Sequence, residues 1–188
     1  MVKVVEYYRD WVPPTGVRRT IDRLLEATPQ QYLIGLRSVV LTNAASLTGK
    51  RRRGTTVSRK RKVALNRCGG LYHRSRHDQQ ASIEIFVDNC LEPLPTRLRN
   101  VSLFLDLGLG PVWFHELGHH IHSTVAREYG ERENVADRWS RRLFRPYFRR
   151  NYWWLTALFF PLRPLFRLWL RSRRRSQTAL PGRNRRAA

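Results

Sequence analysis

His115, Glu116, Leu117, Gly118 and His119 form an uninterrupted H-E-x-x-H, and this string constrains the chain most, because its chemistry exists only on a helix. Residues four apart share a helical face, so the two imidazoles can each aim one ring nitrogen at a common point. Two such nitrogens suit a zinc ion. Glu116, one residue beyond His115, can reach a water on the open side of that ion and take its proton. Val112, Trp113 and Phe114 lead into the string and Ile121 and Val125 follow it, which gives the helix apolar anchors beside its polar face. Gly118 costs roughly 1 kcal/mol in a helix relative to Ala, which fits a neighbour packed closely on that face.

A catalytic zinc keeps three protein ligands and one open position. Position 125 is Val and no His follows His122, so a third His six residues after the motif is excluded. The acidic candidates are Glu128, Glu131, Glu133 and Asp137. Glu133, Asn134, Val135, Ala136 and Asp137 read as E-x-x-A-D, which puts two carboxylates one turn apart on a second helix. Glu133 is then the expected third ligand. Asp137 is expected to accept a hydrogen bond from a ligand histidine, His115, and so fix its tautomer, while Ala136 lets the helices approach. A helix running to about Ala126 carries the chain roughly 10 Å past the metal, and seven extended residues can return at most about 23 Å. The first helix must therefore stop before Gly130, and Glu131 is a rival ligand of shorter reach.

His115 to His119 followed by Glu133 and Asp137 resembles the gluzincin type of zinc metallopeptidase, in particular the compact intracellular forms that carry H-E-L-G-H and then E-x-x-A-D. The resemblance covers the active-site helix, the glutamate helix and the strand before them. It implies one zinc ion on His115, His119 and Glu133, hydrolysis of peptide bonds in a peptide or protein substrate, and Glu116 as general base. Arg138, Trp139, Ser140, Arg141 and Arg142 follow the second acid, where those proteins have small or apolar residues.

Upstream, Ile83, Ile85 and Val87 alternate with Glu84, Phe86 and Asp88, the period of a half-buried strand. As an edge strand it can align an extended peptide by main-chain hydrogen bonds; an ordinary strand of the sheet fits the same period equally well. Leu36 to Leu41 is a second apolar run and Met1 to Tyr8 a weaker third. Ile21, Leu24 and Leu25 sit at helical spacing, with Thr15 as cap and Pro29 as stop. The pattern is therefore α+β, and the resemblance implies a zincin-like minimal metallopeptidase domain with a small mixed sheet, an active-site helix and a glutamate helix, over residues 1–150. A basic, aromatic helical tail is expected over 151–188. Cys68, His73, His77 and Cys90 match no usual zinc spacing and read as strand and surface residues, with reduced thiols.

The net charge of +22 is segregated. Residues 138 to 188 hold fifteen Arg and no acid; the preceding 137 residues hold 21 basic and 14 acidic residues, and eight of those basics lie between Lys50 and Lys62. Without them 13 basics face 14 acids, so the body is near neutral. The Lys50–Lys62 stretch reads as a flexible, solvated loop. In the tail, Trp153, Trp154, Phe159 and Phe160 stand beside arginines, a mixture that suits an anionic membrane surface or single-stranded nucleic acid. Pro161, Arg163, Pro164 and Arg167 interrupt it too early for a transmembrane helix. With no signal-peptide core at the N-terminus, the protein is expected to be cytoplasmic, with recruitment to a membrane periphery or nucleic acid through loop and tail. The alternative that charge alone supports is a nucleic-acid- or membrane-surface-binding protein whose metal site is structural or vestigial.

Overall fold

Two apolar runs, Leu36–Thr42 and Ala81–Phe86, pair side by side and order everything around them. The computed structural model describes residues 2–58, 61–75, 80–125 and 131–155. In chain order these give β1 (Lys3–Tyr7), α1 (Val17–Glu26), β2 (Leu36–Thr42), α2 (Gly49–Arg52), β3 (Thr55–Ser58), β4 (Arg61–Ala64), β5 (Gly70–His73), β6 (Ala81–Phe86), α3 (Val87–Leu91), α4 (Ser102–Thr124) and α5 (Arg132–Asn151). The chain divides into two compact units, Met1–Phe148 and Arg149–Ala188. The fold is mixed, with one four-stranded sheet in the order β1-β2-β6-β5. β1, β2 and β6 run parallel and β5 is antiparallel to β6.

Of the two placements that the alternation over residues 83–88 allows, the edge is not the one adopted: β6 lies inside the sheet, between β2 and β5, and ends at Phe86. Val87 and Asp88 begin α3 instead, and Asp88 accepts the backbone N–H of Ala44 at 2.9 Å. Both faces of β6 are buried, as parallel strands require. Ile83 and Ile85 join Val39 and Leu41 in the main core with α1 and α4, while Phe86 packs with Leu47 and Cys68 on a second, smaller cluster. Glu84 points to that second side and is buried because Arg51 and His73 both bond its carboxylate. Burial by itself would raise its pKa, but the hydrogen bonds and charges of His73 and Arg51 prevail and hold it below the usual carboxylate range.

The Lys50–Lys62 stretch is also corrected. Its described residues form α2 and a β3–β4 hairpin. Val63 and Leu65 pack on the Leu47, Cys68 and Phe86 cluster and Arg51 reaches Glu84, so apolar burial and one ion pair fold a segment whose charges alone would leave it solvated. Thr15 is no cap: Gly16, at φ 95°, precedes α1, and the Thr15 backbone N–H goes to Asn100 at 3.0 Å. The helix stops at Glu26, short of Pro29. Cys68 and Cys90 are free thiols, and His77 lies outside the described residues. So does the expected basic tail from residue 156 on; Trp153 and Trp154 before it are exposed. Among the described residues no helix is long and apolar enough to cross a membrane.

α4 contains Gly108, Gly110, Gly118 and Pro111, a poor helix former by local propensity. Each internal Gly costs about 1 kcal/mol and Pro about 3. Six fully buried apolar side chains, Leu105, Leu109, Trp113, Phe114, Leu117 and Ile121, outweigh that at about 2 kcal/mol each. At its start Asp106, with no exposed surface, bonds Arg23 of α1 at 2.6 Å and the Tyr147 hydroxyl of α5 at 2.8 Å. One carboxylate thereby ties three helices. Asp106→Ala should destabilise the protein by about 3 kcal/mol, because it strands a buried hydroxyl and a half-buried guanidinium; a chemical-denaturation midpoint within error of the parent would contradict this.

Candidate metal centre

α4 presents His115 and His119 one turn apart, with ring centroids 4.9 Å apart and planes at 89°. α5 presents Glu133 and Asp137, also one turn apart, from the opposite side. Glu133 Oε1 stands 3.4 Å from His119 Nε2, and its Oε2 stands 3.7 Å from His115 Nε2. One ligand atom from each of the three residues lies within 4.8 Å of the others. Bonds of about 2 Å around a tetrahedral ion put its ligand atoms roughly 3.3 Å apart. The donor set fits that geometry and the nitrogen and oxygen preferences of zinc. His115 Nδ1 lies 3.0 Å from Asp137 Oδ1; donating that N–H leaves Nε2 as the ligand atom. Glu131, the rival in the sequence, is exposed and accepts a bond from Asn134 at 3.3 Å; Glu128 lies outside the described residues.

The approach of the two helices depends on Gly118. A Cβ there would sit 2.8 Å from the Ala136 Cα and 2.9 Å from its carbonyl oxygen, so only Gly opposite a small residue lets the backbones touch. The bulky segment after Asp137 is accommodated by orientation. Trp139 is buried edge-on to Tyr32, ring centroids 5.2 Å apart, and the Ser140 hydroxyl donates to the Pro111 carbonyl at 3.0 Å. Arg138, Arg141 and Arg142 point outward.

The edge beside this cluster belongs to β5, the four residues Gly70–His73. Phe86 N–H donates to the Gly69 carbonyl at 2.9 Å, which sets the ladder register. By antiparallel alternation Leu71 and His73 bond to β6 while the backbone groups of Gly70 and Tyr72 face away from it. Gly70 also makes room for Glu116: a Cβ would meet Glu116 Cγ at 2.7 Å. Tyr72, unassigned from sequence, bonds Ser123 at 2.8 Å and His120 Nδ1 at 3.2 Å. His120 Nε2 faces the Ile34 carbonyl at 3.0 Å and so carries the ring proton; burial lowers its pKa and keeps it neutral. His120 is thus a fully bonded core residue between α4 and β5. The helical spacing gave no signal for it, since its partners come from residues 34 and 72.

The cleft between these elements, about 1090 Å³, is lined by His115, Glu116, His119, Glu133, Asp137 and Tyr72 among others. In the metal-free chain burial, and then the Glu133 charge, push Glu116 up to about 8, with a backbone hydrogen bond from Tyr72 pulling it back. His119 is pushed down to about 4 by burial first and then by the charges of His115 and His122. A neutral His119 keeps a ring lone pair for a metal. No protein-family model matches the chain, and neither a curated protein nor a solved structure matches it.

The raised Glu116 gives a signed expectation. A carboxyl whose folded pKa lies above its unfolded value stabilises the fold below the unfolded pKa and loses that contribution as pH rises through the folded one. For Glu116 the window runs from its ordinary value of 4.5 to about 8. With chelator present, Glu116→Gln should therefore raise the melting temperature more at pH 8 than at pH 5. An equal shift at both pH values would show that Glu116 ionises normally in the metal-free fold.

Proposed function

We propose that this chain is a zinc-dependent metallopeptidase of gluzincin type on a zincin-like scaffold. One observation carries the reading: His115, His119 and Glu133 converge within 4.8 Å, with Asp137 holding His115 and the buried Glu116 lining the same cleft beside Gly70 and Tyr72 of β5. Zinc in such a site supplies Lewis acidity, making water acidic near neutral pH and polarising a carbonyl. The protein's own groups do the rest. A substrate segment added to β5 would pair with the outward N–H and C=O of Gly70 and the outward C=O of Tyr72, the Tyr72 N–H being bonded to Glu116, which orients its scissile carbonyl over the cleft. Glu116 takes a proton from the attacking water as the oxygen–carbon bond forms, and returns it to the amide nitrogen as the carbon–nitrogen bond breaks. Asp137 keeps His115 in the tautomer that leaves Nε2 unprotonated.

This reading makes the protein an endopeptidase acting on peptide or protein substrates inside the cell, with one zinc ion per chain. Purified protein should carry about one zinc, His115→Ala and His119→Ala should lose it, and Glu116→Gln should keep it while losing at least about a hundredfold in peptide hydrolysis. Metal analysis and a fluorogenic-peptide assay on the same preparations test this; a zinc-loaded Glu116→Gln protein of full activity would remove Glu116 from the mechanism.

Gly70→Ala separates geometry from metal binding. Its methyl group would crowd Glu116 at 2.7 Å and Val112 at 2.9 Å, neither of them a proposed ligand, so the expected result is a normal zinc content with kcat reduced at least about tenfold. Unchanged kcat would mean that the exact seat of Glu116 is unimportant.

A further inference from the structure

Three arginines surround the cleft: Arg67 from the turn before β5, Arg74 just after β5, and Arg132 at the first position of α5. All three are exposed, and among the described residues none of them has a carboxylate partner. The cleft's own carboxylates are engaged elsewhere: Glu133 stands against both ligand histidines and Asp137 bonds His115, while Glu116 is buried. Arg132 stands where a structural role would not put it, because the N-terminus of a helix is its positive end and a cation there is unfavourable by several tenths of a kcal/mol. Outside the basic stretch and the residues from 138 on, the chain is near neutral, so general solubility does not demand three unpaired cations around one cleft. The β3–β4 hairpin, through Thr56 and Val63, closes the same side.

We infer that the cleft selects polypeptide segments with acidic side chains flanking the bond to be cut. This rests on the peptidase reading and adds its substrate class. The segment's backbone lies along β5, and its carboxylates meet Arg67 and Arg74 on the strand side and Arg132 on the helix side. A polypeptide fits better than a nucleic acid, because the arginines border outward main-chain hydrogen-bonding groups of an edge strand, which pair with a peptide backbone and not with sugar-phosphate.

The test uses the full zinc-loaded chain and fluorogenic peptides of one core sequence flanked by Glu and Asp, by Gln and Asn, or by Lys. Acidic flanks should raise kcat/KM about tenfold over amide flanks, the combined effect of two or three solvated ion pairs. The advantage should shrink at high salt. In Arg67→Gln/Arg74→Gln/Arg132→Gln, and in part in Arg67→Gln alone, the acidic-to-amide ratio should fall toward one. The same peptides are titrated against zinc-loaded Glu116→Gln, which reads affinity without turnover. If no peptide of any charge is cut, the peptidase reading fails, and the affinity ranking alone decides whether the acidic preference stands. Equal kcat/KM and equal affinity for acidic and amide flanks overturn the inference while leaving the peptidase reading intact. Tighter, arginine-dependent binding of a single-stranded oligonucleotide than of an acidic peptide of equal charge overturns it in favour of nucleic acid.

Discussion

The contact between the backbones of α4 and α5 at Gly118 and Ala136 governs the site. Each helix carries half of the constellation, one the two imidazoles, the other the two carboxylates. Neither half is a metal site alone. The helices can be brought to ligand distance only where no side chain separates them, and with a Cβ at position 118 falling 2.8 Å from the Ala136 Cα, even one methyl group would force them apart. Spacing of a few tenths of an ångström matters here, because ligand bonds of about 2 Å tolerate little error.

That closeness is bought with buried polar groups, and their environments divide the roles. Glu116 and His119 are both shifted toward their neutral forms in the metal-free chain, chiefly by burial, so a cation entering the site meets a lone pair on His119 and a carboxyl whose proton it helps to expel. The rest of the polar network is satisfied internally. Asp106 joins α1, α4 and α5 at one end, and His120, Tyr72 and Ser123 join α4 to β5 at the other. The cleft therefore lies between a helix and a strand that are fixed to each other by hydrogen bonds.

The basic stretch shows how charge and fold can be at odds. Arg51 spends its charge on Glu84, and Val63 and Leu65 anchor the hairpin apolarly. Thr56 and Val63 of the hairpin line the cleft, and the exposed cations that line it with them, Arg67, Arg74 and Arg132, lie outside the Lys50–Lys62 run.

What the sequence by itself determined was local and periodic. H-E-x-x-H and E-x-x-A-D each place two functional groups one helical turn apart, because 3.6 residues per turn is a property of the backbone and not of the neighbours. The same holds for α1 and for the apolar strands β2 and β6. Tertiary structure alone decided which strand is the edge. β6 looked half-buried because of Glu84, yet Arg51 and His73, 33 and 11 residues away in the chain, neutralise that residue and let the strand go inside. β5 is four residues with no apolar period, so nothing local announces it; it exists because β6 offers it a ladder. The partners of His120 and the ring of arginines are likewise set by residues far apart in sequence, and sheet order and side-chain convergence are non-local quantities that no window of a few residues contains.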